Sequence, residues 1–310
     1  MRIYEDVRFV ALPTQMCAIM PILQSKGQDN IIISELGKLY ARALSFVLLA
    51  SSGLFCSEVL LSSRNYKIMK PRQDDTEEMN QTIEIIFCII SYTMIVISCA
   101  YNGRKHCRTY KDMTKIDEYL EANGYEGAYK ATFLAIFLTL LAGVVFGMAF
   151  FYIHIRSDMA WFRQCILLIS YALQMLFSTT FALYLRILLK NISRRIEFVN
   201  QKLKQFVEND GKENWRELSI LVEMFCKFRH IADNINVVMG VALLFYMGYA
   251  FYAVTNQSYQ AFSILTTHVE FINKFDTMGL SVSWVMTEIS ILSIICNSCD
   301  SVTSEVSQIN

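Results

Sequence analysis

Apolar blocks alternate with polar stretches along the whole chain, and the blocks are long. A bilayer's hydrocarbon core is ~30 Å thick, so a helix rising 1.5 Å per residue needs about 20 apolar residues to cross it. Six runs come near that length, at about 43–61, 83–101, 133–153, 165–189, 235–254 and 278–295. The run at 133–153 is the most uniformly apolar. The pattern predicts an all-α, polytopic membrane helical bundle, a single transmembrane domain over residues 1–310.

The fourth and fifth runs do not end where the membrane should. Ile192, Ile196, Val199, Leu203 and Phe206 continue the fourth at spacings of 4, 3, 4 and 3, a heptad seam. Asn209-Asp210-Gly211 is turn chemistry. Trp215, Leu218, Val222 and Phe225 then open a second seam that leads into the fifth run. A long helical hairpin, 190–234, is therefore predicted beyond the membrane between helices four and five. Residues 1–37, with Val7, Phe9, Val10, Ala11 and Leu12, read as a short amphipathic helix at the interface. Polar loops are expected at Ser62–Asn80 and Thr255–Asp276. A polar tail is expected from Asn297.

Composition supports the membrane reading. The chain is 54% hydrophobic and 18% charged, with mean hydropathy +0.34, whereas soluble domains carry about 25% charge. A net charge of zero gives no electrostatic footprint for nucleic acid. Lys and Arg set the orientation. They crowd the second connection (Arg104, Lys105, Arg108, Lys111, Lys115, Lys130) and the hairpin (among others Lys190, Arg194, Arg195, Lys202, Lys204). On the other side the fifth-to-sixth connection holds only Lys274, the third-to-fourth Arg156 with Arg163 at its border, and the first-to-second Arg64, Lys67, Lys70 and Arg72 beside acidic neighbours. The bias places the N-terminus and the hairpin in the cytoplasm. The sequons Asn80-Gln-Thr and Asn256-Gln-Ser then fall outside, and Asn191-Ile-Ser inside.

No catalytic signature stands out. His106, His154, His230 and His268 are dispersed, and there is no His-Glu-x-x-His, Gly-rich phosphate loop or Gly-x-Ser-x-Gly. The nine cysteines are scattered. Cys296-x-x-Cys299 supplies two of the four ligands a structural metal site needs. Neither an enzyme nor a cofactor is expected.

Glu288 is the sharpest single residue. A carboxylate inside a span costs at least ~2.5 kcal/mol unless it is paired or hydrated. Thr277, Ser281, Trp284 and Glu288 share one helical face. That face either lines a pocket or gate, or makes a structural hydrogen bond to a neighbouring helix. Aromatic residues crowd the half of the spans away from the hairpin: Phe146, Phe150, Tyr171, Tyr249, Tyr252 and Trp284, with Gln174 as a polar companion. Apolar walls with few polar groups suit a small-molecule pocket. Ordinary packing and an interfacial aromatic belt remain the alternative.

Two stretches carry a resemblance. Phe228-Arg-His-Ile-Ala-Asp-Asn-Ile-Asn-Val-Val-Met-Gly-Val-Ala-Leu-Leu resembles the entry into the fifth helix of the insect gustatory receptors. Ile295-Cys-Asn-Ser-Cys-Asp-Ser-Val-Thr-Ser-Glu-Val resembles their segment after helix six. The resemblance implies a plasma-membrane, tetrameric, ligand-gated cation channel that detects small tastants, formed from like or related subunits. It also implies a ligand pocket among the outer halves of helices two to six. The family's seventh helix, with its Thr-Tyr and Gln-Phe signature, has no counterpart before Asn310. The expectation is a chain cut short before the pore helix, able to associate with itself or with complete relatives, and conducting little alone.

Other classes remain beside this reading. An odorant receptor shares the architecture, and a non-conducting regulatory subunit fits the missing helix. A small-solute transporter should show repeated halves and broken helices, and neither is visible. A G-protein-coupled receptor would place its N-terminus outside, against the charge bias.

Overall fold

The computed structural model describes residues 10–25, 31–69, 75–125, 161–208, 215–266 and 271–307. It is a bundle of long helices: α1 (Glu35–Met69), α2 (Asp75–Tyr101), α3 (Gly103–Ala122), α4 (Trp161–Glu208), α5 (Trp215–Thr266) and α6 (Phe271–Ser307). Five of these, all but α3, are long and apolar enough to cross a membrane. The span expected at 133–153 lies outside the described residues, as does the turn expected at Asn209–Gly211.

The helices overrun the apolar runs at both ends. At 48 and 52 residues, α4 and α5 are each over 70 Å long at about 1.5 Å per residue. The loop expected at Thr255–Asp276 is mostly helix, with α5 reaching Thr266 and α6 starting at Phe271. Polar residues there keep helical backbone because several find partners inside the bundle. The expected tail is helix as well. Beyond Ile291 and Ile295, Ser298 and Val302 stay on the buried face of α6. Ser193 on α4 hydrogen-bonds Ser301 at 2.9 Å, and Asn200 donates to the Glu305 carbonyl at 2.9 Å.

The N-terminal segment departs from the amphipathic helix expected at the interface. A helical stretch over 10–16 buries Val10 and Ala11, and the following turn buries Ile19 and Met20 in the common core. Strands β1 (Leu23–Ser25) and β2 (Ile31–Ile33) then form a small antiparallel hairpin. Its approach to α1 needs a glycine. A Cβ on Gly37 would lie 2.7 Å from the Ile22 Cβ.

Helix α3 lies along the hairpin-side halves of α4 and α5. Its inner face carries His106, Tyr110, Met113, Asp117 and Leu120, at spacings of 4, 3, 4 and 3. It ends in a Schellman motif. Gly124 takes φ +88, its N–H donates to the Glu121 carbonyl, and the Tyr125 N–H donates to Leu120. Glycine adopts that left-handed conformation at no steric cost.

Candidate functional site

Two polar layers interrupt the apolar core. The first lies in the half of the bundle away from the hairpin and is built around Glu84, near the start of the second apolar run. Glu84 is fully buried. Tyr171 on α4 donates its hydroxyl to Oε1 at 3.3 Å. Gln257 on α5 donates Nε2 to both oxygens at 3.1 Å, and Asn256 donates Nδ2 to Oε2. Among the described residues no cation pairs with this carboxylate. Neutral donors from two other helices hold it, which is what a low-dielectric interior demands of a polar group.

Glu288 on α6 is the second buried carboxylate of the layer. Its Oε2 accepts from the Tyr246 hydroxyl at 2.8 Å. Tyr249 lies within electrostatic reach of Glu288, Glu84, Cys88 and Tyr171, yet its hydroxyl makes no hydrogen bond of full geometry. The Tyr171 ring meets the Trp284 ring edge-on, with centroids 5.0 Å apart. Gln174 donates Nε2 to Ser91 at 3.4 Å.

The structure thus places Tyr171, Gln174, Tyr249, Trp284 and Glu288 together in the interior. Ser281, Trp284 and Glu288 share the buried face of α6. Tyr252 sits at the rim, half-buried, stacked on Phe87 at 5.3 Å and donating to the Asn80 carbonyl at 3.2 Å. Phe146 and Phe150 lie outside the described residues.

Sequence reasoning missed Glu84, Asn256, Gln257 and Tyr246. The signal was present: Glu84 is a lone acid between Ile83 and Ile85, the same anomaly that singled out Glu288. Asn256, expected as a sequon on the outer side, has its side chain buried and bonded to Glu84.

The layer contains unused hydrogen-bonding capacity. Gln174 Oε1 and Asn256 Oδ1 are buried without a hydrogen-bond partner among the described residues, and the Tyr249 hydroxyl and Glu288 Oε1 are buried near each other's side chains without a bond of full geometry. Each such group costs roughly 1–3 kcal/mol if it stays unmet. Four in one layer mark a place where a guest molecule or ordered water gains most.

The second layer lies on the hairpin side. Tyr110 and Tyr184 share a hydroxyl–hydroxyl bond at 2.6 Å, and Tyr184 also bonds His106 Nε2. Burial pushes the His106 imidazole down to about 4, so it is neutral near pH 7. Two turns beyond Tyr110 on α3, Asp117 meets Arg195 of α4. This layer joins α3 to α4. No cluster of three metal-ligating side chains occurs among the described residues. Cys296 and Cys299 are free thiols, exposed and half-buried respectively.

Comparison with known proteins agrees with this architecture. The family model described as 7tm chemosensory receptor matches residues 8–310. Gustatory receptor 68a of Drosophila melanogaster is 47% identical over 315 residues, covering 99% of this chain and 80% of that protein. Gustatory and pheromone receptor 32a of the same species is 24% identical over 337 residues, covering 98% and 71%.

Proposed function

The chain belongs to the 7tm chemosensory receptor family, among the gustatory receptors, and from that premise we propose that it is a subunit of a ligand-gated cation channel that detects a small molecule. The ligand binds in the polar layer between α2, α4, α5 and α6. The observation that carries this reading is the cluster of buried polar atoms without a hydrogen bond of full geometry, on Gln174, Tyr249, Asn256 and Glu288, in the layer that also buries Glu84. The aromatic walls, Tyr171, Tyr249 and Trp284, supply apolar contact. These atoms are mostly acceptors, the amide oxygens of Gln174 and Asn256 and the Glu288 carboxylate, which favours a ligand with donating hydroxyl or amine groups on an apolar frame. One relative is named for pheromones as well as taste, and a pheromone is included in the ligand class on that ground.

In this reading the receptor sits in the plasma membrane as a homo- or hetero-tetramer, with its N-terminus and hairpin in the cytoplasm. The Lys and Arg bias of the connections supports the orientation. The apolar seams of the hairpin support association through α4 and α5.

The test is functional. Cells co-expressing the chain with a complete related receptor subunit are screened by calcium imaging against small tastants. Glu84→Gln and Glu288→Gln are then compared with the parent at matched surface expression. The reading expects a shift of the dose–response curve of at least about tenfold, the effect of about 1.4 kcal/mol in binding. Unchanged curves for both variants would remove the polar layer from ligand recognition.

A further inference from the structure

A cavity of about 700 Å³ opens at the hairpin end of the bundle, well away from the polar layer. Its floor is apolar, with Ala18, Met20, Ile22, Ala41, Ile97 and Ala100 among the lining residues. Its remaining wall is cationic: Lys38, Arg42, Arg104 and Lys105 line it, and no acidic side chain does. Lys38 is engaged by Glu35 at 2.5 Å. Arg42, Arg104 and Lys105 are exposed and make no ion pair among the described residues. The start of α3 follows α2 with only Asn102 between them. Asn102 gives that helix no side-chain cap bond, the turn carries no acidic residue, and Gly103, Arg104 and Lys105 line the cavity. The cavity also sits at the ends of two membrane-length segments, Glu35–Glu58 and Thr82–Tyr101.

We propose that this cavity binds an anionic phospholipid from the surrounding leaflet, with the headgroup phosphate held by Arg42, Arg104 and Lys105 and the glycerol and upper acyl carbons laid on the apolar floor. The chemistry is complementary in both halves. A soluble phosphate would use the cations but leave the floor against water, while a neutral lipid would use the floor but leave three cations unmatched. Basic pockets between helices on the cytoplasmic side are places where phosphoinositide headgroups bind. Placement in the cytoplasmic leaflet rests on the proposed orientation. Binding itself does not, because both sides are accessible to lipid in a micelle. The site is separate from the ligand layer, so its test stands apart from that of the receptor reading.

The experiment uses the purified full chain in neutral detergent. Dioctanoyl phosphatidylinositol bisphosphate, dioctanoyl phosphatidylserine, dioctanoyl phosphatidylcholine and free inositol trisphosphate are titrated, and binding is read by thermal shift and by displacement of a fluorescent phosphoinositide. The two anionic lipids should bind and stabilise, more weakly as salt is raised, and phosphatidylcholine should not. Each surface cation contributes about a fivefold effect, so Arg42→Gln/Arg104→Gln/Lys105→Gln should lose on the order of a hundredfold in affinity. Arg42→Lys/Arg104→Lys should retain most of it. Neutralising Lys202 and Lys204 on the hairpin should change little. Unaltered anionic-lipid binding by the triple variant would overturn the proposal. So would phosphatidylcholine binding as well as the anionic lipids. Full displacement by inositol trisphosphate at the lipid's own concentration would make this a soluble-phosphate site and would equally overturn it.

Discussion

Arg195 on α4 grips Asp117 on α3 through two parallel hydrogen bonds, Nε to Oδ1 at 2.6 Å and Nη2 to Oδ2 at 2.8 Å, with less than a tenth of either side chain exposed. Nη1 adds a bond to the Asn191 carbonyl at 2.8 Å, and the Tyr125 ring lies 5.9 Å from the guanidinium carbon. Removing one partner strands a buried charge. Asp117→Ala should cost about 3–5 kcal/mol, while Asp117→Leu/Arg195→Leu should recover much of that loss. Thermal unfolding of the three purified chains checks the ordering. A double variant less stable than the single one would contradict it.

His106 predicts a pH dependence. Its imidazole titrates near 4 in the folded protein and near 6.5 in an unfolded chain. Below pH 6.5 the unfolded state takes up a proton that the folded state refuses. Stability contributed by neutral His106 is therefore full above pH 6.5 and falls as pH drops toward 4, by up to about 1.4 kcal/mol per unit. His106→Gln should flatten this slope in melting curves taken between pH 4.5 and 7. An identical slope in the variant would assign the effect elsewhere.

Gly37→Ala should loosen the N-terminal segment. The added methyl meets the Ile22 Cβ at 2.7 Å, and overpacking of this kind costs roughly 1–3 kcal/mol. Cys17 reports the movement. It is buried, and burial pushes its thiol up to about 11, so in the parent it should resist alkylation. Faster maleimide labelling of Cys17 in Gly37→Ala is the expected result.

Asn256 should carry no glycan despite its Asn-Gln-Ser context. Its amide is bonded to Glu84 inside the bundle. Asn256→Gln should leave the gel mobility of the expressed protein unchanged before and after glycosidase digestion. A mobility gain confined to the parent would place that side chain outside the packed layer.

Orientation is checked with epitope tags at Met1 and within Asn209–Gly211. Both should be hidden from antibody in intact cells and revealed by permeabilisation. Surface labelling of either would reverse the charge-based assignment.

Most of the helical architecture was legible because hydropathy and length are strong signals in lipid. The continuation of α4 was legible from its heptad spacing, and the inward face of α6 from the isolated Glu288; on α5 the expected seam is not the buried face, since Trp215 and Val222 are exposed while Leu221, Met224, Phe228 and Ile231 are buried. Glu84 was not recognised because it sits at the edge of its apolar run, just after Asn80-Gln-Thr, where a charge is ordinary at an interface. The Asp117–Arg195 pair was hidden by composition. Helix α3 is rich in charge and looks solvated until the spacing of His106, Tyr110, Met113, Asp117 and Leu120 is counted. A short helix was legible in the N-terminal segment, but not its packing on the core, because a short apolar stretch satisfies an interface and a core equally well.

Helix α4 contains neither glycine nor proline over its 48 residues. Sharp bends in helices nearly always arise at such residues or at inserted groups. The rod therefore moves as one piece. Gln174, in the polar layer, and Asn200, bonded to the last turns of α6, sit 26 positions apart on it, about 39 Å at 1.5 Å per residue. A tilt of about 5° pivoting at one of them displaces the other by about 3 Å, more than a hydrogen bond can follow. Mechanically α4 is a lever. A wedge a few atoms thick at one end is read at the other as a broken or remade contact, with no relay of side chains needed between them.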